Sequence, residues 1–343
     1  MMMQTIDRLL LGKTLTTLEA EIAFRALFRK KKREELFGKL LLVLLQKKGE
    51  HPNELTGLIQ TIRNAEKRLS GRSLDVVDGC GTGGDGKKSF NISTIACIIA
   101  AGAGAYVAKH GNRSLTSQCG SADLLESLGV KIEAPSHRML TALRKGHLGY
   151  FHAPLYHPLF AQIQPIRKEL AQRQIKTIFN LAGPLVNPLR PKRQVIGVYR
   201  KNYVPVIAQT LRNLGLKRVL VFWNTGGFDE LTTAASSFAI ELSGGKLKQK
   251  TLSPFSLGLK RSKQKDLKGG NDAFNRRIAL RILSGKDRGP RLDNVLLNAA
   301  AILYISGRAK NLKDGIKIAK RSVKSGSALH SLKQLIRISH GTK

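Results

Sequence analysis

The stretch Asp78-Gly79-Cys80-Gly81-Thr82-Gly83-Gly84-Asp85-Gly86, followed by Asn91-Ile92-Ser93-Thr94, has the residue types needed to hold a phosphate or diphosphate. Glycines let the backbone adopt positive φ and bring N–H groups up to anionic oxygens. A helix starting just after them adds partial positive charge at the same point. The alternative is a tight glycine turn between two core elements. The density of glycines, hydroxyls and acid in one turn favours the anion site. It is not a P-loop, which ends in Gly-Lys-Ser/Thr, and its spacing is not Gly-x-Gly-x-x-Gly.

A second set, Lys109-His110-Gly111-Asn112-Arg113 with Ser114, Thr116, Ser117, Gly120 and Ser121, reads as another anion cradle on a loop after a short strand. Asp229 and Glu230 are adjacent acids in an acid-poor chain. They suit a hard divalent cation such as Mg²⁺, or equally the acidic first turn of a helix. His152-Ala153-Pro154-Leu155-Tyr156-His157-Pro158 lacks metal-ligand spacing and reads as a pocket wall for a flat organic substrate. Arg167, on the next predicted helix, has the fork that grips a carboxylate, though a solvated helix-surface arginine has the same local sequence. No Ser-His-Asp or paired-carboxylate hydrolase arrangement stands out.

These groups need elements to position them. Leu74 to Val77 reads as the end of a buried strand before the glycine loop, and Ile95 to Ala108 as a helix and then a short strand. Further strands are predicted at Tyr106–Ala108, Lys131–Ala134, Gly149–His152, Gln194–Tyr199, Arg218–Trp223 and Phe238–Leu242, alternating with helical patterns. Such alternation predicts an α/β fold with a mainly parallel central sheet flanked by helices, and ligands at the strands' C-terminal ends. Residues 1–70 read instead as a small all-helical domain. Thr16-x-x-Glu19 is a capping box, Leu36–Leu45 a second helix and Glu54–Leu69 a third, with a break at Gly49–Pro52. Residues 71–343 form the larger domain. Arg288–Lys320 reads as two helices with Asp293 as a cap, and Lys260–Gly270 as a polar, mobile loop.

The 343 residues carry 59 Lys and Arg against 23 Asp and Glu, a net charge of +36. That exceeds what one anionic substrate requires and predicts salt-dependent, non-specific contact with nucleic acid. Basic clusters lie at Lys30-Lys31-Lys32-Arg33 and Lys246–Lys268, but cations are dispersed along the whole chain, as a solvated basic surface would also have them. Three cysteines without Cys-x-x-Cys spacing read as reduced thiols in a cytoplasmic protein. No apolar run has membrane-spanning length, and no secretory signal pattern opens the chain.

In order along the chain, Gly81-Thr-Gly-Gly-Asp-Gly86, Asn91-Ile-Ser-Thr94, Lys109-His-Gly-Asn-Arg113, Gly120-Ser-Ala-Asp-Leu-Leu-Glu126, Ala153-Pro-x-x-His157, Thr177-Ile-Phe-Asn180, Gly183-Pro-Leu-x-Asn187-Pro188 and Asp229-Glu230 resemble the anthranilate phosphoribosyltransferases of tryptophan biosynthesis. The resemblance implies transfer of 5-phosphoribosyl from phosphoribosyl diphosphate to the amine of anthranilate. Gly81, Thr82, Gly83, Gly84, Asp85, Gly86, Asn91, Ser93, Thr94, Lys109, Ser117 and Ser121 would then line the phosphoribosyl diphosphate site. Gly81, Asn112, Pro154, His157 and Arg167 would face anthranilate, and Ser93, Asp229 and Glu230 would hold Mg²⁺. It further implies a homodimer through the helical domain, to which a segment near 165–190 returns. Two departures bear on the site. The connection Ala171–Lys176 is longer than the family pattern, making Arg173 an alternative to Arg167, and Lys176 stands where arginine is usual. The competing readings are a paralogue that binds nucleic acid, for which the diphosphate machinery would be superfluous, and a nucleoside phosphorylase, against which the acid pair argues.

Overall fold

A computed structural model describes residues 2–28, 32–66, 69, 74–114 and 118–341. Four helices open the chain: α1 (Met2–Leu10), α2 (Thr17–Leu27), α3 (Lys32–Lys48) and α4 (Pro52–Ala65). The Thr16 hydroxyl accepts from the Glu19 N–H while the Glu19 carboxylate accepts from the Thr16 N–H, closing the expected capping box. Proline at the first position of α4 costs no hydrogen bond there and fixes the helical φ. The third expected helix therefore starts at Pro52, and it ends at Ala65, short of Leu69.

The rest alternates strands and helices. The strands are β1 (Val77–Gly81), β2 (Val107–Gly111), β3 (Leu148–His152), β4 (Arg193–Gly197), β5 (Arg218–Asn224), β6 (Ser237–Ser243) and β7 (Lys246–Leu252). Between them lie α5 (Ile92–Gly102), α6 (Ser121–Ser127), α7 (Ser136–Gly146), α8 (Pro158–Gln162), α9 (Gln164–Gln172), α10 (Phe179–Ala182) and α11 (Tyr203–Asn213), and after them α12 (Asp272–Leu283), α13 (Pro290–Ser306), α14 (Leu312–Lys324) and α15 (Ser327–His340). The sheet order is β3-β2-β1-β4-β5-β6-β7, parallel from β3 to β5 and antiparallel at β5–β6 and β6–β7. The α/β class and the mainly parallel sheet are as the alternation predicted.

Several expectations are corrected. β1 does not end at Val77 but begins there, so Asp78 to Gly81 are strand residues and the turn starts at Thr82. Likewise Lys109 and His110 lie in β2 rather than in the loop after it. Lys131–Ala134 is a turn: Lys131 N–H is taken by the Ser339 hydroxyl and Ala134 N–H by the Lys131 carbonyl, which leaves no ladder to join. Asp293 sits in the first turn of α13, and the cap position is Gly289. β7 was not expected; its lysine-rich sequence suits an exposed sheet edge, where charge discourages pairing with other chains. The 260–270 segment is tied down. Leu267 is buried, its carbonyl accepts from Phe90 N–H, and Lys268 bridges Ser89.

Alternation along β4 and β5 sends Val195, Leu220 and Phe222 to one face and Ile196, Val219 and Val221 to the other. The first face packs on α5, α7, α13 and α15. The second packs on α11 and shares one apolar cluster with Phe24, Leu41 and Leu58 of the N-terminal helices and Ile166, Leu170 and Phe179 of α9 and α10.

Candidate active site

The chain leaves β1 toward β2 and β3 on one side of the sheet, then crosses back to place β4 on the other. Loops after β1 and β4 thus diverge to opposite faces, and a crevice opens between them at the strands' C-terminal ends. Register sets Gly81 directly opposite Gly197 at its floor. Both must be glycine, since a Cβ on either would run into Asp229 of the loop that follows β5. That loop lies across the two strand ends because neither carries a side chain.

The turn after β1 has Gly83, Gly84 and Gly86 at φ +70°, +78° and +70°, and a Cβ at Gly83 or Gly86 would meet no protein atom. Its left-handed residues leave a rim of open backbone. The turn is pinned at three points. Gly83 N–H donates to Asp229 Oδ2 (2.6 Å), Lys87 N–H to Asp85 Oδ1 (3.0 Å), and Lys176 Nζ to the Gly84 carbonyl (3.1 Å), with the same ammonium 4.2 Å from the Tyr199 ring centroid.

Asp229 and Glu230 are both buried. Burial first, then Asp85 beside it, pushes the Asp229 carboxyl up to about 7, although Gly83 N–H pulls the other way. Burial and the neighbouring Asp229 likewise raise Glu230 well above the ordinary range, against hydrogen bonds from the Ser89 hydroxyl (2.7 Å) and the Ser93 N–H. Two buried acids that repel each other and form no ion pair among the described residues are a donor set suited to a divalent ion. Among the described residues no three His, Cys, Asp or Glu side chains form a ready cage. Mg²⁺ in phosphate sites needs only one or two carboxylates, completing its shell with waters and substrate oxygens, so the pair fits it. Ser93 and Thr94 stand in the first turn of α5, and Ser93 reaches the pair by its backbone.

Other expected residues take places that sequence alone did not assign. Lys109 is buried beneath the turn with Nζ on the Gly79 carbonyl (3.1 Å). Burial lowers its pKa, but Cys97, Asp78, Cys80 and Glu230 outweigh this and raise it, so it is a fixed positive charge under the crevice. Asn91 ties three segments together, donating to the Cys119 (3.0 Å) and Gly120 (3.1 Å) carbonyls and accepting from Asn275 (3.0 Å). Asn112 is exposed at the end of β2, and its carbonyl receives the Ser121 hydroxyl at 3.4 Å. Ser117 and Thr116 lie outside the described residues.

On the facing side, His157 and His110 meet Nε2 to Nε2 at 3.1 Å, both buried. Burial depresses His157 to about 4 and His110 well below its usual range, so the pair is neutral. Phe160 continues the wall edge-on to His157 and to Phe179. The Arg167 guanidinium lies 6.0 and 5.9 Å from the Phe160 and Phe179 ring centroids, its pKa lowered by burial, and among the described residues it makes no ion pair. Arg173 is exposed and pairs with Glu169 at 3.6 Å. Pro154 is exposed in the turn that precedes His157. Ser89, Lys176 and Tyr199 were missed as site residues. Ser89 and Tyr199 carry no motif, and Lys176 was visible only as a replaced arginine.

The fold and this crevice define a glycosyl-transferring α/β enzyme: residues 73–329 match the model of the glycosyl transferase family, a/b domain. The chain is 37% identical over 339 residues to an anthranilate phosphoribosyltransferase of Rubrobacter xylanophilus, covering 99% of this chain and 98% of that one. Among solved structures it matches the enzyme from Thermus thermophilus (TM-score 0.90, 36% identity, 98% and 99% of the two chains). It also matches the Saccharomyces cerevisiae enzyme in complex with phosphoribosyl diphosphate and Mg (TM-score 0.87, 26% identity, 99% and 98%). The chain belongs to the anthranilate phosphoribosyltransferase family.

Proposed function

We propose that this chain moves the 5-phosphoribosyl group of phosphoribosyl diphosphate onto the amine of anthranilate, releasing diphosphate. The observation that carries this reading is the open glycine turn pinned to a buried acid pair at the β1/β4 crevice. Breaking the C1–O bond leaves negative charge on diphosphate. The N–H groups of Gly84 to Gly86, the first turn of α5 with Ser93 and Thr94, and Lys176 would receive it. Asp229 and Glu230 would hold Mg²⁺, which neutralises developing charge on the leaving group when bound.

Arg167 is the proposed grip for the anthranilate carboxylate. It is a partly buried cation with no ion pair among the described residues, beside the rings of Phe160 and Phe179, and half-buried Phe160 offers a face to a benzene ring. The neutral His110–His157 pair closes that wall without adding charge. The arylamine is already unprotonated at neutral pH, so holding it in line with C1 matters more than a strong base. Exposed Met3, Leu10, Leu18 and Leu36 on α1 to α3, with Leu11 in the turn after α1, support a homodimer through the helical domain, and sedimentation velocity reads its mass. Residues 1–70 and the 165–190 segment are proposed to form the helical domain; the apolar cluster joining α1 to α4 with α9 and α10 continues onto β4, β5 and α11. No helix among the described residues is long and apolar enough to cross a membrane.

The test follows loss of anthranilate fluorescence with purified protein, phosphoribosyl diphosphate and Mg²⁺. Turnover abolished by chelator and restored by Mg²⁺ is expected. Metal-independent turnover would remove the role given to the acid pair, and none under any condition would remove the reading.

A further inference from the structure

The side chains of Lys30 to Arg33 lie outside the described residues, and the Lys246–Lys268 cluster is spread over an edge strand and the segment after it. Lys246, Lys248 and Lys250 belong to the edge strand β7, where lysine serves to block pairing, and Lys250 is neutralised by Glu241. A different concentration appears only in three dimensions. No acidic residue follows Asp314, while that stretch holds five lysines and two arginines; none lies between Glu133 and Glu169 either. The fold packs these two acid-free stretches together, α7 against α15 beside the end of α14. Their exposed cations Arg144, Lys145, Lys317, Arg321, Lys324 and Lys333 form no ion pair among the described residues.

Two adjoining grooves, about 540 and 670 Å³, meet around Ser325 and Ser327 at this corner. Arg321 and Lys324 line one, Lys145 and Lys333 the other. The corner lies at the Gly102 end of α5, whereas the crevice lies at its Ile92 end. Eleven helical residues separate the two by about 15 Å. Bound polyanion and turnover therefore need not exclude each other.

We infer that the α7–α14–α15 corner is a binding face for the phosphate backbone of nucleic acid. Adjoining grooves lined by unpaired cations and hydroxyls match a row of phosphates, whose displaced counterions drive association. None of the exposed large apolar side chains lies on α7, α14 or α15, so the face has nothing to insert into a lipid surface and no aromatic platform for stacking bases. Recognition is thus by backbone, indifferent to sequence and to strandedness.

The test compares two quadruple charge reversals of equal net charge on the full chain. One is at the corner (Lys145→Glu, Arg321→Glu, Lys324→Glu, Lys333→Glu) and one elsewhere (Lys246→Glu, Lys248→Glu, Lys263→Glu, Lys265→Glu). Anisotropy of a labelled duplex and a labelled single strand is read across about 50 to 200 mM salt, with turnover verifying the fold of each variant. The slope of log K against log salt should fall by about 3 to 4 in magnitude for the corner variant and by less than about 1 for the other. Equal losses in both, or no binding by the parent at the lowest salt, would overturn the assignment. So would a corner variant that keeps nucleic-acid binding but loses binding to phosphatidylserine vesicles. If the reversal misfolds, the neutral set with glutamine at the same four positions replaces it and must lower the slope in the same direction.

Discussion

Asp229→Asn should cost the enzyme its turnover and yet, without metal at alkaline pH, make the protein more stable. The Asp229 carboxyl is raised from its ordinary 3.8 to about 7 by burial and by Asp85, so the folded state holds a proton there that the unfolded chain has released. A group with its folded pKa raised in this way favours the folded state below about pH 4, and that advantage drains away as pH climbs to about 7. Some three pKa units correspond to an upper limit of about 4 kcal/mol. Asparagine escapes this penalty but weakens the charge-assisted bond from Gly83 N–H, worth about 1 to 3 kcal/mol, leaving a net gain of about 1 to 3 kcal/mol. An unfolding entropy of about 2.1 cal/mol/K per residue turns this into about 1.5 to 4 °C for the whole chain.

The assay is differential scanning fluorimetry with chelator at about pH 5 and about pH 8. The variant should melt above the parent at the higher pH and within about 1 °C of it at the lower. His157, depressed to about 4 by burial, works with the opposite sign: its contribution is lost as pH falls from about 6.5 toward 4. Both proteins carry it, so it cancels in the difference. Mg²⁺ should then raise the parent more than the variant at pH 8. A gap that is the same at both pH values, or a variant that melts below the parent at pH 8, would refute the electrostatic reading of the acid pair.

Gly81→Ala drives a methyl group into Asp229 at the crevice floor; circular dichroism melts should show a loss of about 1 to 3 kcal/mol, and turnover should fall by at least about tenfold. Arg167→Ala should raise KM for anthranilate by about tenfold or more with little change for phosphoribosyl diphosphate, while Arg173→Ala, at an exposed pair, should leave both nearly unchanged; the reverse pattern would move the carboxylate grip to Arg173. Lys176→Met removes the cation that spans Gly84 and Tyr199, so steady-state kinetics should show KM for phosphoribosyl diphosphate raised about three- to tenfold, with Lys176→Arg restoring most of it.

Short-range features were legible in the sequence because they act over a few residues. Thr16 and Glu19 specify a helix start by mutual hydrogen bonds, and the glycines of 83–86 specify left-handed backbone whatever surrounds them. The strand–helix alternation carried the parallel sheet in the same way. Strand ends were less legible: β1 runs on through Asp78 to Gly81 because β4 pairs along its whole length, a partner more than a hundred residues away. Local pattern had read Lys131–Ala134 as a strand, but only the fold leaves it with no neighbour to join.

The site divides along the same line. Residue types alone marked Gly81 to Gly86, Asp229, Glu230 and Arg167 as chemically able. That Gly81 faces Gly197 so that Asp229 can lie across both, that Ser89 holds Glu230, and that Lys109 points to Gly79 follow from strand register and loop crossing. The same holds for charge. Composition determined that this surface is basic, whereas only the packing of α7 on α15 decided where cations stand together without carboxylates. Sequence fixes what each side chain can do, and long-range contacts decide what it does it to.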